Sequence, residues 1–422
     1  MSDPTLTTPS TASAPTTAAR EALAAALACA PQAAIDPDTA AVLAGISWEQ
    51  AEGLLRDLAD DGILDPATPA GVTPVRYRPA PHAPAPVQPL AGPEREAALR
   101  RLADWTLAVT STTHPRTPGR TPLTAPPAPP NPAPFPHAQG SAWLDDHTGT
   151  IRTALQAAAE HHWHALAYGT TDHLWPWLTD DAPHLWAEAA RIGLAAAERA
   201  GNEDALRRML RSSAASHTLS ATPDDHTQAT ALWERLLDHA YRADDLTDQG
   251  RAHFGLALIA AEDHRTQDAA DLFTEAAEAC RKADFPAGAG LAFLGAGDAA
   301  CRLAAWPQAI EALDDAVDQF RDPSFPPPSD HYEARARVLR GHALTHTGTD
   351  HTPTGIRAMT LGLEMLEDRD TGPWQARALL LLADALTATD PGEATRLRDR
   401  ATGILRHAAH ISDYTDTLRL VM

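Results

Sequence analysis

Small and large apolar positions recur along residues 246–322 in two copies offset by one fixed distance. Gly255, Ala269, Phe273, Ala276 and Cys280 match Gly295, Ala309, Leu313, Ala316 and Phe320, each pair 40 positions apart and without a gap. A constant period of this size marks stacked supersecondary units. Within each copy, Ala269–Phe273–Ala276 and Ala309–Leu313–Ala316 hold the i, i+4, i+7 spacing of one helical face. The pattern predicts two helices per copy. The first carries a glycine, Gly255 behind Phe254 or Gly295 behind Leu294, where the second crosses it. The second alternates small residues that let backbones approach with large ones that fill the space. Each Leu or Phe buried there contributes about 1.5–3 kcal/mol. Pro307 suits the first turn of its helix, where a missing N–H costs nothing. Gly341, Gly355, Met359 and Gly362 repeat the Gly-to-small spacing of 14, and Ala383, Ala394 and Ala401 form a last, shorter unit. The competing reading is an irregular helical domain.

Upstream the pattern changes. Residues 1–16 are rich in Ser, Thr and Pro and are expected to be disordered. A helix follows over 17–30 with Leu23 and Leu27 on one face. Asp36-Pro37 opens a short helix ending near Gly45. Ser47 caps the next, with Gln50 completing a capping box. That helix turns Trp48, Ala51, Leu54, Leu55 and Leu58 inward and stops at Gly62. Ile63–Leu64 and Val75–Tyr77 read as short strands about a Pro/Gly turn. Three helices and a hairpin compose a winged helix. Another helix starts at Pro93, with Leu99, Leu102, Trp105 and Leu107 apolar and Arg95, Arg100 and Arg101 as a solvated face. Ten prolines between His114 and His137 make a spacer, with a PxxP ligand as the less common use. From Trp143 helices run almost unbroken to about His410.

The fold class is therefore mainly α: a small N-terminal winged-helix domain followed by a TPR-like antiparallel helix-pair solenoid. The divisions are residues 1–16 (tail), 17–80 (winged helix), 81–113 (connecting helix), 114–138 (Pro-rich linker) and 139–422 (array). The small–large–small register, with Phe254-Gly255 and Leu294-Gly295 before it, resembles the tetratricopeptide repeat. The departure is length, since that family repeats at about 34 residues. Residues 17–250 also resemble part of the bacterial NB-ARC-type STAND signal-transduction regulators. The resemblance rests on Ile35-Asp36-Pro37, Leu43-Ala44-Gly45, Ala51-Glu52-Gly53-Leu54-Leu55, Gly62-Ile63-Leu64 and Arg76-Tyr77-Arg78. The helix with Trp105, the Pro-rich stretch and Ala142-Trp143-Leu144 follow in the same order. It implies a winged helix and a sensor array without the switch. After Arg78 the chain reads Pro-Ala-Pro-His in place of the family's Phe-His-Asp. The only lysine, Lys282, is followed by Ala283, so no Walker loop exists and ATPase activity does not carry over.

Charge narrows the partners. Net charge is −22, and phosphate binding rests on Lys and Arg. The helix that would enter a DNA groove carries Glu49, Glu52, Asp57, Asp60 and Asp61 against Arg56 alone. DNA is thus a disfavoured partner, and the winged helix reads as a packing or protein-contact module. Cys29, Cys280 and Cys301 are isolated, which points to a reducing, cytoplasmic setting without disulfide frame or zinc site. A short Ala-rich run before Cys29 only faintly imitates a lipoprotein signal, and no apolar run reaches membrane-spanning length.

Of catalytic or metal constellations, His161 and His164 of the cluster His161, His162 and His164 could share a helical face but no third ligand is visible nearby, neither HExxH nor GxSxG occurs, and the acid pairs at Asp145, Asp180 and Asp314 read as helix-end residues. No cofactor is expected. The remaining functional surface is the inner face of the array, onto which the glycine register places Gln249, Arg335, His342 and His346. The leading expectation is a non-enzymatic regulatory module binding a partner protein or peptide. The alternative is a transcriptional regulator binding DNA through the winged helix, and the third is an effector sensor or cryptic enzyme.

Overall fold

The computed structural model describes residues 17–407 except 32, 34, 69–74, 82–87, 114–121, 125–136, 181, 220–221, 324, 326–328 and 368–371. The expected tail at 1–16, most of the Pro-rich linker with its PxxP option, Asp181 and the chain beyond His407 lie outside the described residues. The chain forms two compact units, Met1–Ala205 and Leu206–Met422.

The first unit opens with α1 (Thr17–Leu27), α2 (Pro37–Ala44) and α3 (Trp48–Asp60), then β1 (Leu64–Pro66) and β2 (Tyr77–Pro79). The strands pair antiparallel, Leu64 opposite Pro79, and Ile35 bridges to Tyr77. Local chemistry fixes these boundaries. Asp36 caps α2 by accepting from Thr39 N–H, Gly45 ends it in the left-handed region, and Ser47 with Gln50 forms the expected capping box. The strands begin later than the sequence suggests, because Ile63 N–H still closes α3 by bonding to Leu58 O at 3.0 Å. Ala51, Leu54, Leu55 and Leu58 are buried, whereas Trp48 at the first turn is only half-buried.

Then come α4 (Gly92–Thr113), α5 (His137–Asp146), α6 (Thr148–Glu160), α7 (His164–Asp180) and α8 (Pro183–Ala200). Arg101 of α4 is not part of a solvated face. Its guanidinium donates to Val42 O at 2.9 Å and Leu43 O at 2.5 Å, satisfying carbonyls left open at the end of α2. The acid pair at the end of α5 also makes tertiary contacts. Asp145 accepts from Trp177 Nε1 at 2.9 Å, and Asp146 pairs with Arg76 at 2.6 Å. His147, stacked on Trp143, presents Nε2 to buried Asp36 at 2.6 Å and Nδ1 to Trp143 O at 2.8 Å. Burial alone would push the Asp36 carboxyl up, but His147 and the Thr39 bonds outweigh it and hold it low.

The second unit begins within α9 (Glu203–Thr218). It continues through α10 (Pro223–Arg242), α11 (Leu246–Glu262), α12 (Thr266–Lys282), α13 (Pro286–Arg302), α14 (Trp306–Phe320), α15 (Ser329–Thr345), α16 (Thr352–Glu367), α17 (Gly372–Leu386) and α18 (Pro391–His407). From α11 onward these are successive antiparallel pairs, an array of TPR-like helical repeats. The turns follow a step the apolar pattern does not reveal. Asp244, His264, Asp284 and Ala304 all have positive φ, at intervals of 20. Each helix ends alike: Asp244 N–H bonds to Tyr241 O and Asp245 N–H to Ala240 O, and the other three turns repeat the pair. This is the Schellman closure, whose left-handed residue favours glycine. Left-handed backbone costs a non-glycine residue about 1–2 kcal/mol. Ala304→Gly, at φ 56, is therefore expected to raise stability by about 0.5–1 kcal/mol, after the larger entropy glycine loses on folding. A higher urea midpoint at unchanged slope would show it.

Gly255 and Gly295 occupy equivalent environments, but the crossing helix is not the one expected. A Cβ on Gly295 would lie 2.7 Å from the Phe273 ring of α12, and one on Gly255 would lie closer still to the Trp233 ring of α10. Both glycines thus receive an aromatic ring from the preceding unit. The crossing within each unit is made by Gly250 against Cys280 and Gly290 against Phe320, again 40 residues apart. In the third pair, Gly341 packs against Gly355 backbone, so α15 and α16 touch directly. Ala383, Ala394 and Ala401 are fully buried in the core at the end of the array.

One buried charge cluster lies outside this repeat. Asp248 of α11 accepts from Arg211 at 2.9 Å and Arg251 at 3.0 Å, and Arg207 stands 3.6 Å away. Burial would raise the Asp248 carboxyl, but Arg211, Arg251 and Arg207 together hold it below the usual range. Arg251 is itself pulled down to about 10 by burial and by Arg211.

Candidate functional site

The first helices of the pairs, α11, α13, α15 and α17, together with α12, enclose a cavity of about 320 Å³. Its walls follow from the repeat. Gly295 has no side chain, so Phe273 lies against α13 and meets Phe254 edge-on at 5.5 Å. Leu258, Leu291 and Leu294 extend the same apolar wall, and all of these line the cavity.

The lining is also charged. Asp298 follows Gly295 by one turn, and Arg302 follows Asp298 by another. Arg377 of α17 grips Asp298 with two guanidinium nitrogens, and Arg302 adds a contact at 3.1 Å. Burial alone would push the Asp298 carboxyl up, but Arg377 and then Arg302 overcome it and hold it below the usual carboxylate range. Trp374, one turn before Arg377, lies under two guanidinium groups: Arg377 at 4.6 Å and Arg335 at 4.7 Å from its ring. Arg335 also faces Tyr332 at 5.5 Å and is buried. Stacking of this kind favours the planar, weakly hydrated guanidinium over a lysine.

The cavity therefore joins aromatic and aliphatic walls to three arginines set against Asp298 and Glu262. Burial pushes the Glu262 carboxyl up more than His226 lowers it. Among the described residues, the lining holds no Ser, Cys or His. Among the described residues, no three His, Cys, Asp or Glu side chains come together as a metal site. Cys280 and Cys301 are free and buried, and burial pushes both thiols up to about 12, far from the thiolate a nucleophile needs.

Of the residues expected at the inner face, Arg335 lines this cavity and Gln249, His342 and His346 are not among its lining residues. Gln249 is buried and donates to Ala240 O at 3.4 Å. His342 and His346 gather instead about Trp306, His346 stacked on it at 4.3 Å and His342 edge-on at 5.7 Å. His161 stacks on Trp163 at 4.8 Å, with His162 in the left-handed turn beside it. Asp298, Arg302, Trp374 and Arg377 escaped the repeat argument, which looks for positions that agree between copies. A signal was present in positions that disagree: Leu258 aligns with Asp298, and Glu262 with Arg302.

Burial pulls His342 down to about 4, and His346 and Arg377 add to the effect. A base with a depressed folded pKa binds its proton more readily when unfolded. Stability is then complete above about 6.5 and falls as pH drops toward 4. His342→Gln is expected to flatten that part of a melting-temperature profile, leaving the decline below about pH 4 that Asp248 and Asp298 produce as they protonate.

No family model matches the chain, and no curated protein matches its sequence. Among solved structures it is similar to BtubC (BKLC) from P. vanneervenii, at 16% identity and a TM-score of 0.43, over 55% of this chain and 95% of that one. It is similar to a Rap protein complexed with competence and sporulation factor, at 13% identity and a TM-score of 0.39, over 63% of this chain and 73% of that one. It is also similar to a STAND protein with a tetratricopeptide repeat sensor from Pyrococcus horikoshii, at 11% identity and a TM-score of 0.43. That match takes in 92% of this chain and spans 62% of the STAND protein.

Proposed function

We propose that this chain is a non-enzymatic, cytoplasmic regulatory module that binds a partner protein or peptide through the second unit. The cavity lined by successive first helices carries this reading, because it opens a semi-apolar, arginine-bearing recess where helix-pair arrays present their binding face. The Rap neighbour's bound competence and sporulation factor illustrates a ligand of a structure that resembles this one only in part. In this reading the three N-terminal helices and hairpin are a winged helix that serves as a second protein contact. The acids of α3, Glu49, Glu52, Asp57 and Asp60 against Arg56, would repel a phosphate backbone. The proposed divisions remain 17–80, 81–113, 114–138 and 139–422, with Gln249, His342 and His346 beside Arg335 as further partner contacts.

Selection of peptides from a displayed random library on the full chain tests the reading. Ala261 lines the cavity and is half-buried, so Ala261→Phe fills the recess without crowding the core. Selected peptides are expected to bind the native chain and to lose at least tenfold in affinity, about 1.4 kcal/mol, to this variant at unchanged melting temperature. An empty selection, or peptides indifferent to the blocked cavity, would refute it.

A further inference from the structure

We propose that the cavity receives from its partner one large apolar side chain, aromatic or leucine-sized, with an aspartate or glutamate immediately beside it. The inference rests on the peptide-binding reading above and specifies the chemistry of the peptide.

Size and lining set the apolar part. About 320 Å³ is at the small end of ligand pockets, which run from roughly 300 to 1,000 Å³. It admits an anchor side chain and its neighbour, but not a helix. Phe254, Phe273 and Leu294 offer it aromatic and aliphatic walls. The acidic part follows from charge complementarity. In a chain of net charge −22, three arginines converge on this one recess against two acids. Asp298 is already engaged by Arg377 and Arg302. Glu262 has His226 Nε2 3.1 Å from its carboxylate, and burial pushes its own pKa up. Among the described lining residues, guanidinium groups thus outnumber carboxylates three to two. Two of them stand over the Trp374 ring, at 4.7 and 4.6 Å from its centroid, which restrains them before a carboxylate arrives. Arg302, with its side chain 49% exposed, stands where an incoming acid first meets the site. A basic residue at that place would meet like charge in a low-dielectric recess.

The test uses the full chain and three sets of fluorescein-labelled peptides with amidated C-termini. The flanks are degenerate mixtures of Gly, Ala and Ser, and the core is Leu or Phe followed by Asp, Asn or Lys. By fluorescence anisotropy at low salt, the Asp set is expected to bind roughly tenfold or more tighter than the Asn set, as a charge-assisted contact should. The Lys set is expected to bind weakest, and the Asp advantage to shrink toward about 0.5 M salt. Arg302→Gln is expected to lower the Asp-to-Asn ratio at least threefold in a chain that remains folded by circular dichroism at the assay temperature; Arg335→Gln lowers it further. Equal binding of the Asp and Asn sets, or preference for Lys, overturns the inference while leaving peptide binding intact. Displacement of the Asp set by free 3-phenylpropanoate at equal concentration would also overturn it, by reassigning the recess to a small acid. If library selection yields no peptide at all, it is the underlying reading that fails.

Discussion

Gly255→Ala is expected to destabilise the second unit by about 3 kcal/mol, at the upper end of what overpacking costs. The added methyl would enter the six-membered ring of Trp233, well inside van der Waals contact. Trp233 cannot yield. It is fully buried, and its indole N–H donates to Thr218 at 2.9 Å. Alanine's better helix propensity returns roughly 1 kcal/mol, which is included in that figure. Gly295→Ala meets Phe273 at 2.7 Å and should cost less, about 2 kcal/mol, because a ring with no hydrogen bond to keep can shift. Urea unfolding of the two variants checks the order as well as the size. A repeat in which both glycines receive a neighbour's aromatic ring requires both to be destabilised. If either variant is as stable as the parent, the packing described here is wrong at that crossing.

Asp248→Asn is the second large effect, expected at about 3 kcal/mol. Removing one member of a buried ion cluster strands its partners, and such losses run to about 3–5 kcal/mol. Here Arg211, Arg251 and Arg207 would face a neutral amide, with Asp248 6% and Arg211 7% exposed at the side chain. The lower end applies because asparagine keeps one acceptor and Arg207 and Arg251 reach some solvent. The same carboxylate makes a pH signature. Its folded pKa is depressed, so its contribution is complete above the unfolded value near 4 and is lost as pH falls below it. The variant should therefore lose stability at pH 7 and little more below pH 4. Denaturant midpoints at the two pH values measure this; equal losses at both would assign the effect to packing.

How much was legible follows from what repeats. Gly255/Gly295, Phe273/Leu313 and Cys280/Phe320 agree between copies because each copy must bury the same faces, so the helix pairs and their core could be read from one sequence. The capping of α2 and α3 was legible for a local reason: Asp36, Ser47 and Gln50 act within three residues of themselves. Which helix each glycine would receive was not legible, since spacing along one helix says nothing of whether the ring comes from its own unit or the one before. Arg101 looked solvated because its acceptors, Val42 O and Leu43 O, lie 59 and 58 residues away. The cavity was partly legible. Arg335 was placed on the inner face by register, but Trp374 and Arg377 come from a helix whose repeat signal is weak. Arg377 meets Asp298 across 79 residues. Charged recognition sits where the copies diverge, which a search for agreement passes over.

Amide hydrogen exchange of the full chain, with and without a library-selected peptide, tests the central claim most directly. Protection is expected in the turns that line the cavity: Leu258–Glu262 of α11, Gly295–Arg302 of α13, the turn around Arg335, and Trp374–Arg377 of α17. The outer surfaces of α14, α16 and α18 and the N-terminal helices and hairpin should exchange as before. Protection centred on α1–α3 or the hairpin, with the four first helices unchanged, would contradict the account.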